Sequence, residues 1–150
     1  MLDIEFPTEN QNTDMPSLNH SYLCSQMLRQ LFNNPSIEAL TELTLDIDNG
    51  LTPDICVYPA EAIQPNFSRD IIKMPQMPTV AIEVISASQN IQDMLVKAER
   101  LIQAGVKAVW TVEPYSRTVF VTTESGEAIL HNQPVASEGI QVDFKHIFSE

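Results

Sequence analysis

The sequence has few basic residues, few cysteines and few glycines. Its 150 residues include 8 Lys and Arg against 20 Asp and Glu, which gives a net charge of −12. Surfaces that bind DNA normally carry clustered Lys and Arg, which displace counterions from phosphate. Taken alone, this charge argues against tight binding of nucleic acid. It does not argue against a metal site, because carboxylates are the usual protein ligands of Mg²⁺.

The two cysteines, Cys24 and Cys56, lie far apart in apolar segments and form no CxxC pair. This spacing argues against a zinc site or a disulfide framework. Free buried thiols suit a reducing compartment, and the first residues lack the features of a signal peptide, so we expect a cytoplasmic protein. No run of 18 apolar residues is present, and we therefore expect no membrane span.

The length of the chain fits a single domain. We expect a flexible acidic arm over residues 1–16 and one folded domain over residues 17–150. The hydrophobic pattern predicts the order α, β, β, β, α, β, β, β. A strand, a helix and a strand over residues 79–112 predict a parallel pair with a right-handed crossover. The predicted helices are 18–32 and 88–104, and the predicted strands are 37–47, 51–58, 79–86, 107–112, 117–123 and 126–131. Residues 59–78 are predicted to form a loop with a helical turn at 70–72. Residues 139–148 are predicted to form a strand followed by a helical turn.

Two acidic residues stand out because of the segments that contain them. Glu83 is the only charged residue in the apolar segment TVAIEVIS (79–86). A carboxylate among buried aliphatic side chains is costly unless it is paired or binds a metal. The alternative is a glutamate at the rim of the sheet that reaches solvent. Asp54 follows Pro53 in the segment PDICVY, where it is either a second acid of the same site or a residue that caps a turn.

Lys97 lies on the predicted helix that follows the strand of Glu83. With a helix start near Asn90, Lys97 lies about 10 Å along the helix axis. Glu83 lies about 10 Å before the strand end at Ser86. If the helix folds back on its strand, as crossover helices do, the two side chains reach the same level. The alternative is a solvated i,i+4 pair between Asp93 and Lys97.

Other polar residues give weaker signals. Glu38, Glu42 and Asp46 alternate along one face of a predicted strand, and we interpret them as solvated, with Glu42 as an alternative distant metal ligand. Trp110 lies in an apolar strand and is interpreted as a core residue. Three histidines without metal-ligand spacing are interpreted as surface residues: His20, His131 and His146.

Four segments together carry a resemblance to a known family. They are PDICVYP (53–59), PTVAIEVIS (78–86), the helix with Asp93 and Lys97, and GVKAVWTVEP (105–114). In this order they resemble the Uma-two family of restriction endonucleases, a branch of the PD-(D/E)XK nuclease superfamily. The family's pattern is Pro-Asp, then Glu-Val-(Leu/Ile)-Ser, then a helix with Lys, then Gly-Val and a Trp strand ending in Asp-Pro. The resemblance covers about residues 18–148.

The resemblance implies a restriction-endonuclease-like α/β fold with a central mixed β-sheet flanked by helices. It also implies a metal-dependent endonuclease that acts on DNA, with a homodimer as a plausible assembly. Asp54, Glu83 and the backbone carbonyl of Val84 would hold Mg²⁺ or Mn²⁺, and Lys97 would orient water or neutralise charge. The superfamily's usual lysine position, two residues after the glutamate, holds Ile85 here, and the family places its lysine on the following helix.

The chain departs from the family's pattern at three positions. Met94 stands where the family often has Arg, Leu101 where it often has Tyr, and Glu113 where it has Asp. Together with the acidic net charge, these differences support an alternative hypothesis. The chain would then be a non-catalytic protein-interaction module built on a degenerate nuclease fold.

Overall fold

The computed structural model describes residues 16–149 of the chain. The predicted arm over residues 1–16 therefore lies outside the described residues, apart from Pro16. Within the described part, no helix is both long and apolar enough to cross a membrane. The α-helices are α1 (Leu18–Leu31), α2 (Ile91–Gln103) and α3 (Phe144–Phe148). The strands are β1 (Ile37–Thr41), β2 (Ile55–Pro59), β3 (Val80–Val84), β4 (Ala108–Glu113), β5 (Thr118–Thr123), β6 (Gly126–His131), β7 (Pro134–Ser137) and β8 (Ile140–Asp143), with a 3₁₀ helix at Ala60–Ala62.

The strands form one six-stranded sheet and one two-stranded sheet. The order in the large sheet is β1-β2-β3-β4-β5-β6, and β7 pairs with β8. Strands β3 and β4 are parallel, and all other neighbours are antiparallel. Helix α2 makes the crossover between β3 and β4 and packs on β4 and β5. The predicted mixed α/β architecture, with its one parallel pair, is confirmed.

Strand β3 is buried along its whole length and has a helix on each side of the sheet. Val80, Ile82 and Val84 belong to the apolar cluster that also contains the buried side chains of α1. Ala81 belongs to the cluster on the opposite face, which contains Ala98 and Leu101 of α2. Because side chains alternate between the faces of a strand, Glu83 points to the side of α2.

The first hairpin is shorter than the hydrophobic pattern predicts. The predicted strand over 37–47 ends at Thr41, and its partner begins at Ile55. Between them the chain turns away at Glu42, whose φ of 51° lies in the left-handed region and cannot continue a strand. A turn lies at Asp48 and Asn49, and Leu45 and Leu51 on either side of it pair only through an isolated bridge.

One further local prediction is wrong, and one strand was missed. The short helical turn in the long loop lies at Ala60–Ala62, directly after β2, instead of at residues 70–72. Strand β7 (Pro134–Ser137) was not predicted from the sequence. It has a single buried residue, Val135, so its pattern carries no visible alternation. The remaining predicted helices and strands are present, and their ends differ from the predicted ones by at most three residues.

Candidate active site

The candidate site lies at one end of the large sheet, where three strand ends meet. Strand β2 is antiparallel to both of its neighbours, so its start lies beside the ends of β1 and β3. The register places Ile55 opposite Thr41 on one side and opposite Ile82 on the other. Asp54, just before β2, therefore lies next to Glu83 near the end of β3.

Asp54 is held in place by contacts on both of its carboxylate oxygens. The backbone N–H of Val84 donates a 2.7 Å hydrogen bond to Oδ2. Nε2 of His20, on helix α1, lies 3.0 Å from Oδ1. The side chain of Asp54 is 20% exposed, and its backbone carbonyl accepts a 3.1 Å hydrogen bond from the N–H of Glu42. Asp54 thus joins β1, β3 and α1, which a residue that only caps a turn would not do.

Glu83 is buried and forms an ion pair with Lys97 of helix α2. Only 5% of Glu83 is exposed, so the alternative of a solvated rim residue is wrong. The pKa of Glu83 is raised to about 7, chiefly because of burial; the cation of Lys97 opposes this rise and the charge of Asp54 adds to it. The sequence predicts that Glu83 and Lys97 lie at equal distances from the connection between strand and helix, and the contact between them agrees with this prediction.

A cavity of about 410 Å³ opens beside the two acids. Asp54, Glu83 and Val84 line it from the strand ends, and Glu42 and Gln89 line it from the adjoining loops. The two carboxylates therefore share one concave site near the start of α2. Carboxylates that lie close together in a concave site favour a bound cation or a shared proton.

Helix α1 contributes four further residues to this cavity, which are His20, Ser21, Cys24 and Ser25. The interpretation of His20 as a surface residue is wrong, because its side chain is 20% exposed and contacts Asp54. His131 and His146 are exposed, as expected. The i,i+4 spacing of His20 and Cys24 on one helix was the available signal, since it places both side chains on one face.

The three departures from the family's pattern have structural explanations. Met94 and Leu101 are buried on α2, and Leu101 belongs to the apolar cluster on that side of the sheet. The carboxylate of Glu113 accepts hydrogen bonds from the backbone N–H groups of Tyr115 and Ser116, and so stabilises the turn after β4. Trp110, predicted as a core residue, is fully buried.

The acids predicted to alternate on one strand face lie apart. The strand ends before Glu42, so Glu38, Glu42 and Asp46 share no strand, although all three are exposed, as expected. Glu42 alone of the three lines the cavity of Asp54 and Glu83.

Comparisons with known proteins agree with this architecture. A family model described as "Putative restriction endonuclease", that of the Uma-two family, matches residues 5–149. One solved structure that matches is a "putative nuclease" from Anabaena variabilis, with a TM-score of 0.76 and 19% sequence identity over 91% of this chain and 83% of that chain. At this identity the likeness shows the fold alone. The comparison with curated proteins gave no match. Because the family model spans nearly the whole sequence, the chain belongs to the Uma-two family.

Proposed function

We propose that this chain is a divalent-metal-dependent endonuclease that hydrolyses phosphodiester bonds in DNA, with Asp54, Glu83 and Lys97 as its catalytic residues. The observation that carries the proposal is the meeting of these three groups from separate segments. Asp54 and Glu83 line one cavity, and Lys97 pairs with Glu83. Membership of a family described as restriction endonucleases supports the same reaction class.

The donor groups fit a hard divalent cation. Asp54 and Glu83 offer carboxylate oxygens, and the backbone carbonyl of Val84 is the third proposed ligand; such oxygens are what Mg²⁺ and Mn²⁺ prefer. The raised pKa of Glu83 indicates that its negative charge is only partly compensated in the protein. A cation bound between the two acids would supply that compensation.

Each residue has a separate task in the proposed reaction. The bound cation would lower the pKa of a water molecule and stabilise the negative charge that develops on the phosphate. The N–H of Val84 fixes the orientation of Asp54 by holding Oδ2. Lys97 positions the water and neutralises charge in the transition state. The water oxygen forms the new bond to phosphorus, the P–O ester bond breaks, and the leaving oxygen takes up a proton.

The proposal extends to the setting of the reaction. We expect Mg²⁺ or Mn²⁺ as the working cation, because the proposed ligands are all oxygen atoms. One such site cuts one strand, and a symmetric homodimer would bring two sites together on a duplex. The free thiols of Cys24 and Cys56 are compatible with a cytoplasmic location.

Cleavage of supercoiled plasmid DNA tests the proposal. Wild type should nick the plasmid with Mn²⁺ or Mg²⁺ and not with a chelator, and Glu83→Ala should lose about 10²-fold or more of this rate. Glu99→Ala is the matched control, because Glu99 is exposed on α2 and should leave the rate unchanged. Circular dichroism confirms that each variant is folded. Equal cleavage by wild type and Glu83→Ala would assign the activity to a contaminant or to another site.

The net charge of −12 favours a second candidate function, a non-catalytic interaction module on the nuclease fold. The two functions differ in their dependence on phosphate contacts and on metal. A nuclease must bind DNA, and that binding should weaken with salt. The logarithm of the DNA-binding constant should fall linearly with the logarithm of the salt concentration, with a slope of about −0.9 for each phosphate contact. A folded protein that neither binds DNA nor cleaves it with Mn²⁺, yet captures a protein partner, would favour the module.

A further inference from the structure

His20 and Cys24 extend the site beyond its acids. They lie one turn apart on α1, a helix whose start is fixed by Ser17, which accepts a 3.2 Å hydrogen bond from the N–H of His20. Sγ of Cys24 lies 4.0 Å from Nδ1 of His20. Nε2 of the same ring lies 3.0 Å from Oδ1 of Asp54. Helix α1 therefore presents a nitrogen and a sulfur to the acid that begins β2.

The three side chains are close enough to share one ion. One ligand atom from each of His20, Cys24 and Asp54 lies within 4.8 Å of the other two. Zinc-like ions bind nitrogen, sulfur and oxygen at about 2.0–2.3 Å in tetrahedral geometry, which requires ligand atoms about 3.5 Å apart. The side chains of His20, Cys24 and Asp54 are only partly buried, and a rotation of them would close the difference. All three residues line the cavity described above, so an ion can enter.

The chemistry of the three donors selects a class of metal. Imidazole and thiolate are ligands of Zn²⁺, Co²⁺ and similar transition metals, whereas Mg²⁺ prefers oxygen alone. We propose that His20, Cys24 and Asp54 form a transition-metal site, with the fourth position left to water. Three protein ligands and one water are the usual arrangement of zinc sites that are not purely structural.

This site does not depend on the proposed nuclease activity, although it shares Asp54 with it. The oxygen site uses Asp54 with Glu83, and the transition-metal site uses Asp54 with the two residues of α1. Removal of Cys24 should therefore abolish the thiolate contact and leave the oxygen ligands in place. This difference makes the two proposals separable by experiment.

Titration with Co²⁺ followed by absorption tests the transition-metal site. Bound thiolate gives a thiolate-to-cobalt charge-transfer band in the near ultraviolet. Wild type and Cys56→Ala should show this band at one Co²⁺ per chain, since Cys56 is fully buried and lies outside the cluster. Cys24→Ala should show no such band and should bind Co²⁺ about tenfold or more weakly. Cys24→Ser, which keeps the size and polarity of the side chain, gives the same test if the alanine variant does not fold.

The results of the Co²⁺ titration either support or overturn the transition-metal site. A missing charge-transfer band in wild type, or a band that persists in both Cys24 variants, would overturn the proposed site. A band lost in Cys56→Ala and kept in the Cys24 variants would also overturn it. Mn²⁺-dependent plasmid cleavage measured on the same samples reports on the nuclease proposal alone. Failure of cleavage with an intact Co²⁺ band would reject the nuclease and leave the transition-metal site standing.

Discussion

Lys97 of helix α2 forms an ion pair with Glu83 of strand β3, which lines the same cavity as Asp54. The lysine side chain is 29% exposed, whereas the glutamate side chain is almost entirely buried. The pair thus joins a buried acid to an amine that reaches solvent. This arrangement explains how a carboxylate is kept inside an apolar strand, and several measurable properties depend on it.

Removal of the amine should impair cleavage and metal binding together. In Lys97→Met we expect the plasmid cleavage rate to fall by about 10²-fold. The pKa of Glu83 should rise further, because the cation of Lys97 lowers it in wild type. Mn²⁺ requires the ionised carboxylate, so the affinity at neutral pH should fall and should recover as pH increases. The cost in stability should be about 1–3 kcal/mol.

The matched control for this variant is Lys107→Met, because Lys107 is exposed and lies before β4. It should keep wild-type cleavage and Mn²⁺ affinity. Titration calorimetry with Mn²⁺ between pH 6 and pH 9 checks the recovery. Equal Mn²⁺ affinity of Lys97→Met and Lys107→Met at every pH would contradict the account.

The pKa of Glu83 predicts a pH dependence of stability without divalent cations. Burial raises this pKa from 4.5 to about 7, so the folded state holds the proton more tightly than the unfolded state. The contribution of Glu83 to the free energy of unfolding is therefore largest below about pH 4.5 and is lost as pH rises to about 7. Its size should be on the order of 1–3 kcal/mol.

Denaturant unfolding of wild type and Glu83→Gln in chelator checks this sign. The other titrating groups are common to both proteins, so the difference between their stabilities isolates position 83. Wild type should lose stability relative to Glu83→Gln between pH 4.5 and pH 7. A difference that stays constant would show that the pKa of Glu83 is the same in the folded and unfolded states, and one that grows in favour of wild type would show that folding lowers it; either result contradicts the raised pKa.

Glu42 holds a left-handed backbone conformation beside the cavity, with φ of 51°. Glycine adopts this conformation without a side-chain penalty, so Glu42→Gly should leave stability unchanged within about 1 kcal/mol. The negative charge of the Glu42 carboxylate should attract cations to the cavity, so the same variant should bind Mn²⁺ more weakly. Glu138, with φ of 54° in the turn between β7 and β8, provides the matched variant Glu138→Gly, which should bind Mn²⁺ as wild type does.

The small sheet is attached to the large one by a hydrogen bond from Trp110 Nε1 to Ser137 Oγ, 2.9 Å long. Ser137→Ala leaves the buried indole N–H without this acceptor and should cost about 1–2 kcal/mol. Ser125→Ala, in the exposed turn after β5, should cost less than about 0.5 kcal/mol. Urea unfolding followed by Trp110 fluorescence measures both. Equal stability of the two variants would show that the bond contributes nothing.

The parts of the fold that could be predicted are those with strong local patterns. The buried strand with Glu83, the amphipathic helix with Lys97 and the helix end at Gly105, where φ is 116°, all follow from neighbouring residues. Strand β7 could not be predicted, because its single buried residue gives no visible alternation and its contact with Trp110 involves a residue distant in sequence.

Only part of the site could be predicted from local sequence patterns. Glu83 and Lys97 belong to one strand–helix unit, so element lengths place them together. His20 was missed because its partner Asp54 lies far along the chain, and only the packing of α1 on the sheet brings them within 3.0 Å. The i,i+4 spacing of His20 and Cys24 places both on one face of a helix but does not say what that face meets.

The most direct test of the account is a crystal structure of the protein soaked in Mn²⁺, with an anomalous difference map calculated at the manganese edge. The proposed metal centre should give a peak in the cavity within about 2.3 Å of carboxylate oxygens from both Asp54 and Glu83. A map without a peak at these acids, from crystals in which the cavity is open to solvent, would contradict the proposed metal centre and the nuclease chemistry that depends on it.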